Sequence, residues 1–272
     1  MNDHQFLDAY FDRIGYSGPR IPSIDLLHNI TLAHVRCIPF ENLDILLGKS
    51  INISLDSVFE KLIIQKRGGY CFEQNGLLLH VLQKLGFDVI PISARVRLDK
   101  PRDFTPPRTH VFLRVEHSGK TWFTDVGVGG VSLTSPIQFI QNTEQTTNHE
   151  TRRIVYEGNR YFHQVLFPNG WADVCEFTLE EMPEIDRELA NWYTSDHPKS
   201  HFKDRLIVAR AGEDGKRFTL VNREYSERNK NVIASKTIIN SPKELINVLK
   251  EKFNLSFPTN TEFRTPGLQW DL

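Results

Sequence analysis

The apolar residues of this chain change their spacing twice along its length, and that change restricts the fold more than any single residue does. Over the first third they recur at helical intervals. Ser23 is placed to cap a helix carrying Leu27, Ile30 and His34. Ser54 is placed to cap another, with Leu55, Val58, Phe59, Leu62 and Ile63 on one face. A third helix is predicted to start near Cys71, with Leu78, Val81, Leu82 and Leu85 inward and Gly86 as its stop. In the middle the pattern becomes that of strands. Residues 89–98 are rich in β-branched side chains, 109–115 and 121–126 flank the turn His117-Ser118-Gly119-Lys120, and 152–156 and 161–167 flank Glu157-Gly158-Asn159-Arg160. The last third mixes strand-like runs at 206–209, 218–221 and 235–239 with a closing helix. Ser241, Pro242 and Glu244 start that helix, and Leu245, Val248, Leu249 and Phe253 form its apolar face. Helices, then antiparallel strands, then a mixture define an α+β chain and argue against a doubly wound parallel sheet.

With 272 residues the chain is long enough for one large unit or two to three subdomains, and it carries no internal repeat or low-complexity tract. A formal net charge of -1 favours neither a nucleic acid nor a membrane surface as partner. No apolar run approaches the roughly 20 residues of a membrane span. The first residues lack a signal-peptide pattern, and three widely separated cysteines suit a reducing compartment, so a cytoplasmic location is expected.

Among those cysteines Cys71 stands apart. It follows Gly68-Gly69-Tyr70 and opens a predicted helix, where free amides and the positive end of the helix dipole favour the thiolate, the nucleophilic form. Cys37 and Cys175 read as core residues. A thiolate needs a base, and the base an orienting group. With Ser118-Gly119 as a two-residue turn, Val115 falls opposite Trp122 and Phe112 opposite Asp125. His110, Phe112, Phe123 and Asp125 then share one strand face, with His110 and Asp125 diagonal neighbours roughly 7–8 Å apart at the backbone. An aspartate on an apolar face is costly unless paired, and His110 is the available partner. Cys71, His110 and Asp125 together read as a catalytic triad for thiol-based acyl transfer. At this level a peptidase, an amide synthase or transglutaminase, and an acyl-CoA transferase remain equally admissible.

The residues around these three resemble the arylamine N-acetyltransferase family over nearly the whole chain. The most specific block is Arg67-Gly68-Gly69-Tyr70-Cys71-Phe72-Glu73-Gln74-Asn75. Ile38-Pro39-Phe40-Glu41-Asn42-Leu43-Asp44, Ser93-Ala94-Arg95-Val96, Thr109-His110 and Asp125-Val126-Gly127-Val128-Gly129-Gly130 add to it. Asn191-Trp192-Tyr193-Thr194-Ser195 also fits, although Asp196-His197 departs from the Pro-containing form expected there. The resemblance implies a cysteine-peptidase-like arrangement of three parts. These are a helical bundle (1–86) carrying the nucleophile, an antiparallel β-barrel (87–190) carrying His110 and Asp125, and an α/β lid (191–272). It implies ping-pong acetylation of arylamines and hydrazines, and O-acetylation of arylhydroxylamines, with acetyl-CoA as co-substrate and no metal. It also puts Thr109, Gly127, Gly129, Gly130 and Phe202 near CoA.

Other signals have plainer readings. Phe202 either caps CoA or is simply core. Glu41 and Asn42 are expected in a buried polar network tying the helical part to the barrel, and Arg67 as a loop anchor. His197 and His201 have metal-like spacing but lack a third ligand, so they read as surface residues. Lys216-Arg217 and the basic run 223–230 read as solvated loops, with attraction of the CoA 3′-phosphate by a few of these side chains as the alternative.

Overall fold

A computed structural model describes residues 2–270. Its helical part begins with α1 (Asp3–Ile14), α2 (Ile24–Cys37), the short strand β1 (Phe40–Glu41), α3 (Leu43–Leu46), α4 (Leu55–Phe59) and α5 (Cys71–Lys84). Ser23 caps α2 and Ser54 caps α4, each accepting a first-turn amide, as their spacing predicts. The second predicted helix does not stay regular, because a π-helical turn follows α4 at Glu60–Ile64. That turn still buries Leu62 and Ile63 against Phe6, Tyr10 and Leu78 in the largest apolar cluster.

The middle is an antiparallel sheet of eight strands among the described residues, nearly closed into a barrel. They are β2 (Asp88–Val96), β3 (His110–His117), β4 (Lys120–Thr124), β5 (Ile137–Gln138), β6 (Gln145–Thr146), β7 (Thr151–Glu157), β8 (Arg160–Phe167) and β9 (Gly170–Glu181), in the order β5-β4-β3-β2-β9-β8-β7-β6. The hairpin register is the one deduced from the turn, with Val115 opposite Trp122 and His117 opposite Lys120. The two edge strands are stitched by one side chain. The Gln145 amide accepts from Gln138 N at 2.7 Å and donates to Gln138 O at 2.8 Å, in the manner of a neighbouring peptide group. Phe112, Phe123 and Phe177 meet edge to face inside, with centroids 5.0–5.4 Å apart.

After β9 come α6 (Glu184–Ser195) and α7 (His201–Asp204), then β10 (Ile207–Ala211), β11 (Lys216–Val221), β12 (Glu224–Asn229), β13 (Val232–Ile238) and α8 (Pro242–Phe253). The second sheet runs β1-β10-β11-β12-β13, so its first strand comes from the N-terminal part of the chain. Two expectations are corrected here. Asn42 joins the helical part to the C-terminal segment rather than to the barrel: it donates to Phe202 O and Arg205 O and accepts from Ile207 N, each at 2.8 Å. Glu41 instead binds Arg67, which anchors its loop as expected. The basic segments are not solvated loops either. Arg217 lies on β11 and is 2% exposed, and residues 224–229 form β12, paired on both sides. Alternation along β11 turns Arg217 inward onto the barrel, where Glu150 receives it.

Glu150 is the hub of this buried contact. It accepts from Arg152 Nη2 and Arg217 Nη2 at 2.9 Å each and pairs with Arg217 Nε. Burial pushes its carboxyl up, but Arg217 and Arg152 outweigh that and hold it well below the usual range. Glu150→Ala strands two buried guanidinium groups, so a loss of about 3–5 kcal/mol in urea denaturation is expected. A loss under about 1 kcal/mol contradicts this role. No helix among the described residues is long and apolar enough to cross a membrane.

Candidate active site

Gly68 and Gly69 bring the chain close under β1 before α5 begins. A Cβ on Gly68 would lie 2.1 Å from Pro39 O, so only glycine fits. Cys71 is the first residue of α5, and the amides of Cys71 and Phe72 have no hydrogen-bond partner among the described residues. Glu73 closes the helix start by accepting from Tyr70 N at 3.0 Å. Burial raises the Glu73 carboxyl, and Lys61, 2.7 Å away, only partly offsets that.

His110 opens β3, where it pairs with Ala94 of β2, and Asp125 follows the last residue of β4. The structure brings the two together, with His110 Nε2 2.7 Å from Asp125 Oδ2 and each residue 1% exposed. The His110 ring also stacks on Phe112, interplanar angle 8°. Cys71 is 4% exposed and its Sγ donates to Thr109 O at 3.7 Å, at the doorstep of His110. Burial alone pushes the His110 imidazole down, but Asp125, as charge and hydrogen-bond acceptor, and the Cys71 sulfur outweigh it and bring its pKa to about 10. Burial likewise raises Asp125, yet His110, Asn75 and the Gly127 amide pull it below its ordinary value.

Sequence reasoning missed the part played by Asn75. It sits four residues after Cys71, on the same helix face. Its Nδ2 donates to Asp125 Oδ1 at 2.9 Å and to Val111 O at 2.7 Å, while its Oδ1 accepts from Val126 N at 3.0 Å. Asn75 therefore fixes the second carboxylate oxygen and the backbone beyond it. A buried asparagine one turn after a candidate nucleophile was the available signal, because such a group must find partners.

The glycines after Asp125 are held tightly by protein. A Cβ on Gly127 would stand 2.6 Å from Cys71 Cα, so this glycine lets the loop press against the start of α5. Gly129 has φ +85° and lies beside Phe40. Gly130 abuts Thr219 and Arg228 of the second sheet. Phe202 is half-buried, its ring 5.7 Å from Tyr70 and 6.2 Å from Phe40, in the apolar cluster that holds Cys71. His201 packs against Phe202 and His197 against Tyr193. Among the described residues no cluster of His, Cys, Asp and Glu is placed to hold a metal ion. Cys175 is buried in β9, and half-buried Cys37 donates to Ile14 O at 3.3 Å.

Cys71, His110 and Asp125 thus meet in one buried place, where the carboxylate and the sulfur favour the protonated imidazole. Comparison with known proteins places this site among similar chains. A family profile described as N-acetyltransferase matches residues 23–262. An arylamine N-acetyltransferase of Escherichia coli is 38% identical over 92% of this chain and 88% of its own. An arylamine N-acetyltransferase / N-hydroxyarylamine O-acetyltransferase of Salmonella typhimurium is 34% identical over 92% and 89%. The solved structure of a Mycobacterium marinum arylamine N-acetyltransferase in complex with CoA superposes with a TM-score of 0.88, at 33% identity over 91% of this chain and 92% of that one.

Proposed function

Because this chain belongs to the arylamine N-acetyltransferase family and is an acyltransferase, we propose that it acetylates arylamines by a ping-pong route through a Cys71 thioester. The observation that carries this reading is the Cys71–His110–Asp125 contact, with His110 raised to about 10. At neutral pH such an imidazole keeps its proton, and it pairs with the Cys71 thiolate. The sulfur attacks the acetyl carbonyl of acetyl-CoA, forming a new C–S bond. The oxygen that becomes negative is stabilised by the unpartnered amides of Cys71 and Phe72. Collapse breaks the bond to CoA, whose thiolate takes the proton from His110. The neutral imidazole then accepts a proton from the incoming amine as its nitrogen attacks the thioester. Cys71 leaves as thiolate and the starting ion pair is restored. Asp125 holds one ring tautomer throughout, and Asn75 holds Asp125.

Arylamines and hydrazines suit this site because they are neutral nucleophiles at pH 7 and need no separate base to free a lone pair. The oxygen of an arylhydroxylamine is a further acceptor, in line with the name of the Salmonella relative. Thr109, Gly127, Gly129, Gly130 and Phe202 border Cys71 or the loop beside it and are the proposed contacts for CoA.

Acetyl-CoA alone is expected to add one acetyl group to the protein, seen by intact mass, and an arylamine then removes it. Initial rates at several fixed arylamine concentrations should give parallel double-reciprocal lines. Intersecting lines with no acetylated protein would refute the thioester route.

A further inference from the structure

Three consecutive carbonyls of the loop that follows Asp125 each face a different arginine. Gly130 O accepts from Arg228 Nη2 at 2.8 Å, Val131 O from Arg152 Nη2 at 2.9 Å, and Ser132 O from Arg217 Nη2 at 2.7 Å. Arg152 comes from the barrel, the other two from the second sheet. The charges of this cluster do not balance. Glu150 serves Arg152 and Arg217, but Arg228 has no carboxylate partner among the described residues, and its Nε is buried without any hydrogen-bond partner. Arg228 also stands directly opposite Arg217 across the β11–β12 ladder, a like-charge arrangement that costs stability. Burial and then Arg217 push its guanidinium down from its ordinary value. Glu150 acts on Arg228 without forming a salt bridge to it and is already held by Arg152 and Arg217, so this half-buried cation has room for an anion of its own.

The surroundings indicate where that anion sits. Arg228 leans on Gly130, and the amides of Gly129 and Gly130 have no hydrogen-bond partner among the described residues. Thr219 and Ser226, their hydroxyls 2.7 Å apart, lie on the same sheet face as Arg228. Gly127 is packed on Cys71, and three residues of chain separate Gly127 from Gly130 by no more than about 11 Å. A cation, free amides and hydroxyls within reach of the nucleophile suit a phosphate carried on a flexible arm whose other end is the thioester.

We propose that Arg228 binds the diphosphate of acetyl-CoA, a role that rests on the acetyltransferase reading above. Its test compares three donors: acetyl-CoA, acetyl-dephospho-CoA, which keeps the diphosphate, and acetyl-pantetheine, which lacks it. In Arg228→Met the ratio of kcat/KM for acetyl-CoA over acetyl-pantetheine is expected to fall about tenfold to a hundredfold, the worth of a charge-assisted hydrogen bond. The ratio for acetyl-dephospho-CoA should fall equally, and Arg228→Lys should recover part of both. Calorimetric titration with CoA should show Kd weakened to the same degree. An unchanged ratio overturns the proposal even if all rates drop, because loosening the Gly130 loop would affect every donor alike. A ratio that falls for acetyl-CoA but not for acetyl-dephospho-CoA also overturns it, in favour of the 3′-phosphate. Failure of all three donors to acetylate the native enzyme strikes the acetyltransferase reading instead, and the CoA titration then decides on Arg228 by itself.

Discussion

Cys71→Ala is expected to lower kcat for acetyl transfer by about 10⁶-fold and to abolish the acetylated protein, because the triad acts as a unit and the sulfur is the atom that bonds the acetyl group. The substitution removes only that sulfur. Cys71 is buried at the start of α5, and its sulfur meets only Thr109 O, at a long distance, and the His110 ring, so the helix and its glycine-rich approach should persist. A melting temperature within a few degrees of the native protein's, together with intact mass after exposure to acetyl-CoA, separates loss of chemistry from loss of fold. An acetyl group still attached to the alanine variant would move the nucleophile elsewhere.

Asp125→Asn should cost roughly 10⁴-fold in kcat while leaving the shape of the site nearly unchanged. The carboxylate accepts from His110 through one oxygen and from Asn75 and the Gly127 amide through the other. An amide in its place must present an N–H to one of these donors, which turns the imidazole to the wrong tautomer. The same change has a thermodynamic signature. The native His110 pKa of about 10 lies above its unfolded value near 6.5. Its contribution to stability is therefore complete below about pH 6.5 and is lost as pH rises through about 10. Urea denaturation between these limits should show native stability falling with pH, and that slope should largely vanish in Asp125→Asn. A variant that keeps both the rate and the slope would remove Asp125 from the proposed mechanism.

Much of this molecule is legible in local sequence. The serine caps at 23, 54 and 241 stand where the residue types require, and the β3–β4 register follows from two turn residues. Each of these features is settled within a few positions of chain, by capping geometry or by the period of the side chains. The π-helical turn after α4 escapes such reading, since it leaves the apolar periodicity nearly intact. So does β12, whose charged residues pair with their neighbours through backbone groups that sequence does not distinguish.

Taken alone, the sequence determined the order of helix and strand, the hairpin that aligns His110 with Asp125, and the helix start that presents Cys71. Tertiary structure decided which distant groups those elements meet. Glu150 reaches Arg217 across 67 positions, Asn75 reaches Asp125 across 50, and Arg228 reaches Gly130 across 98. The reason lies in the range of the forces concerned. Backbone periodicity, capping and turn strain act between near neighbours and leave a pattern in the chain. Desolvation of a buried charge instead depends on whatever surface packs over it, and that surface exists only once the two sheets have closed on the loop.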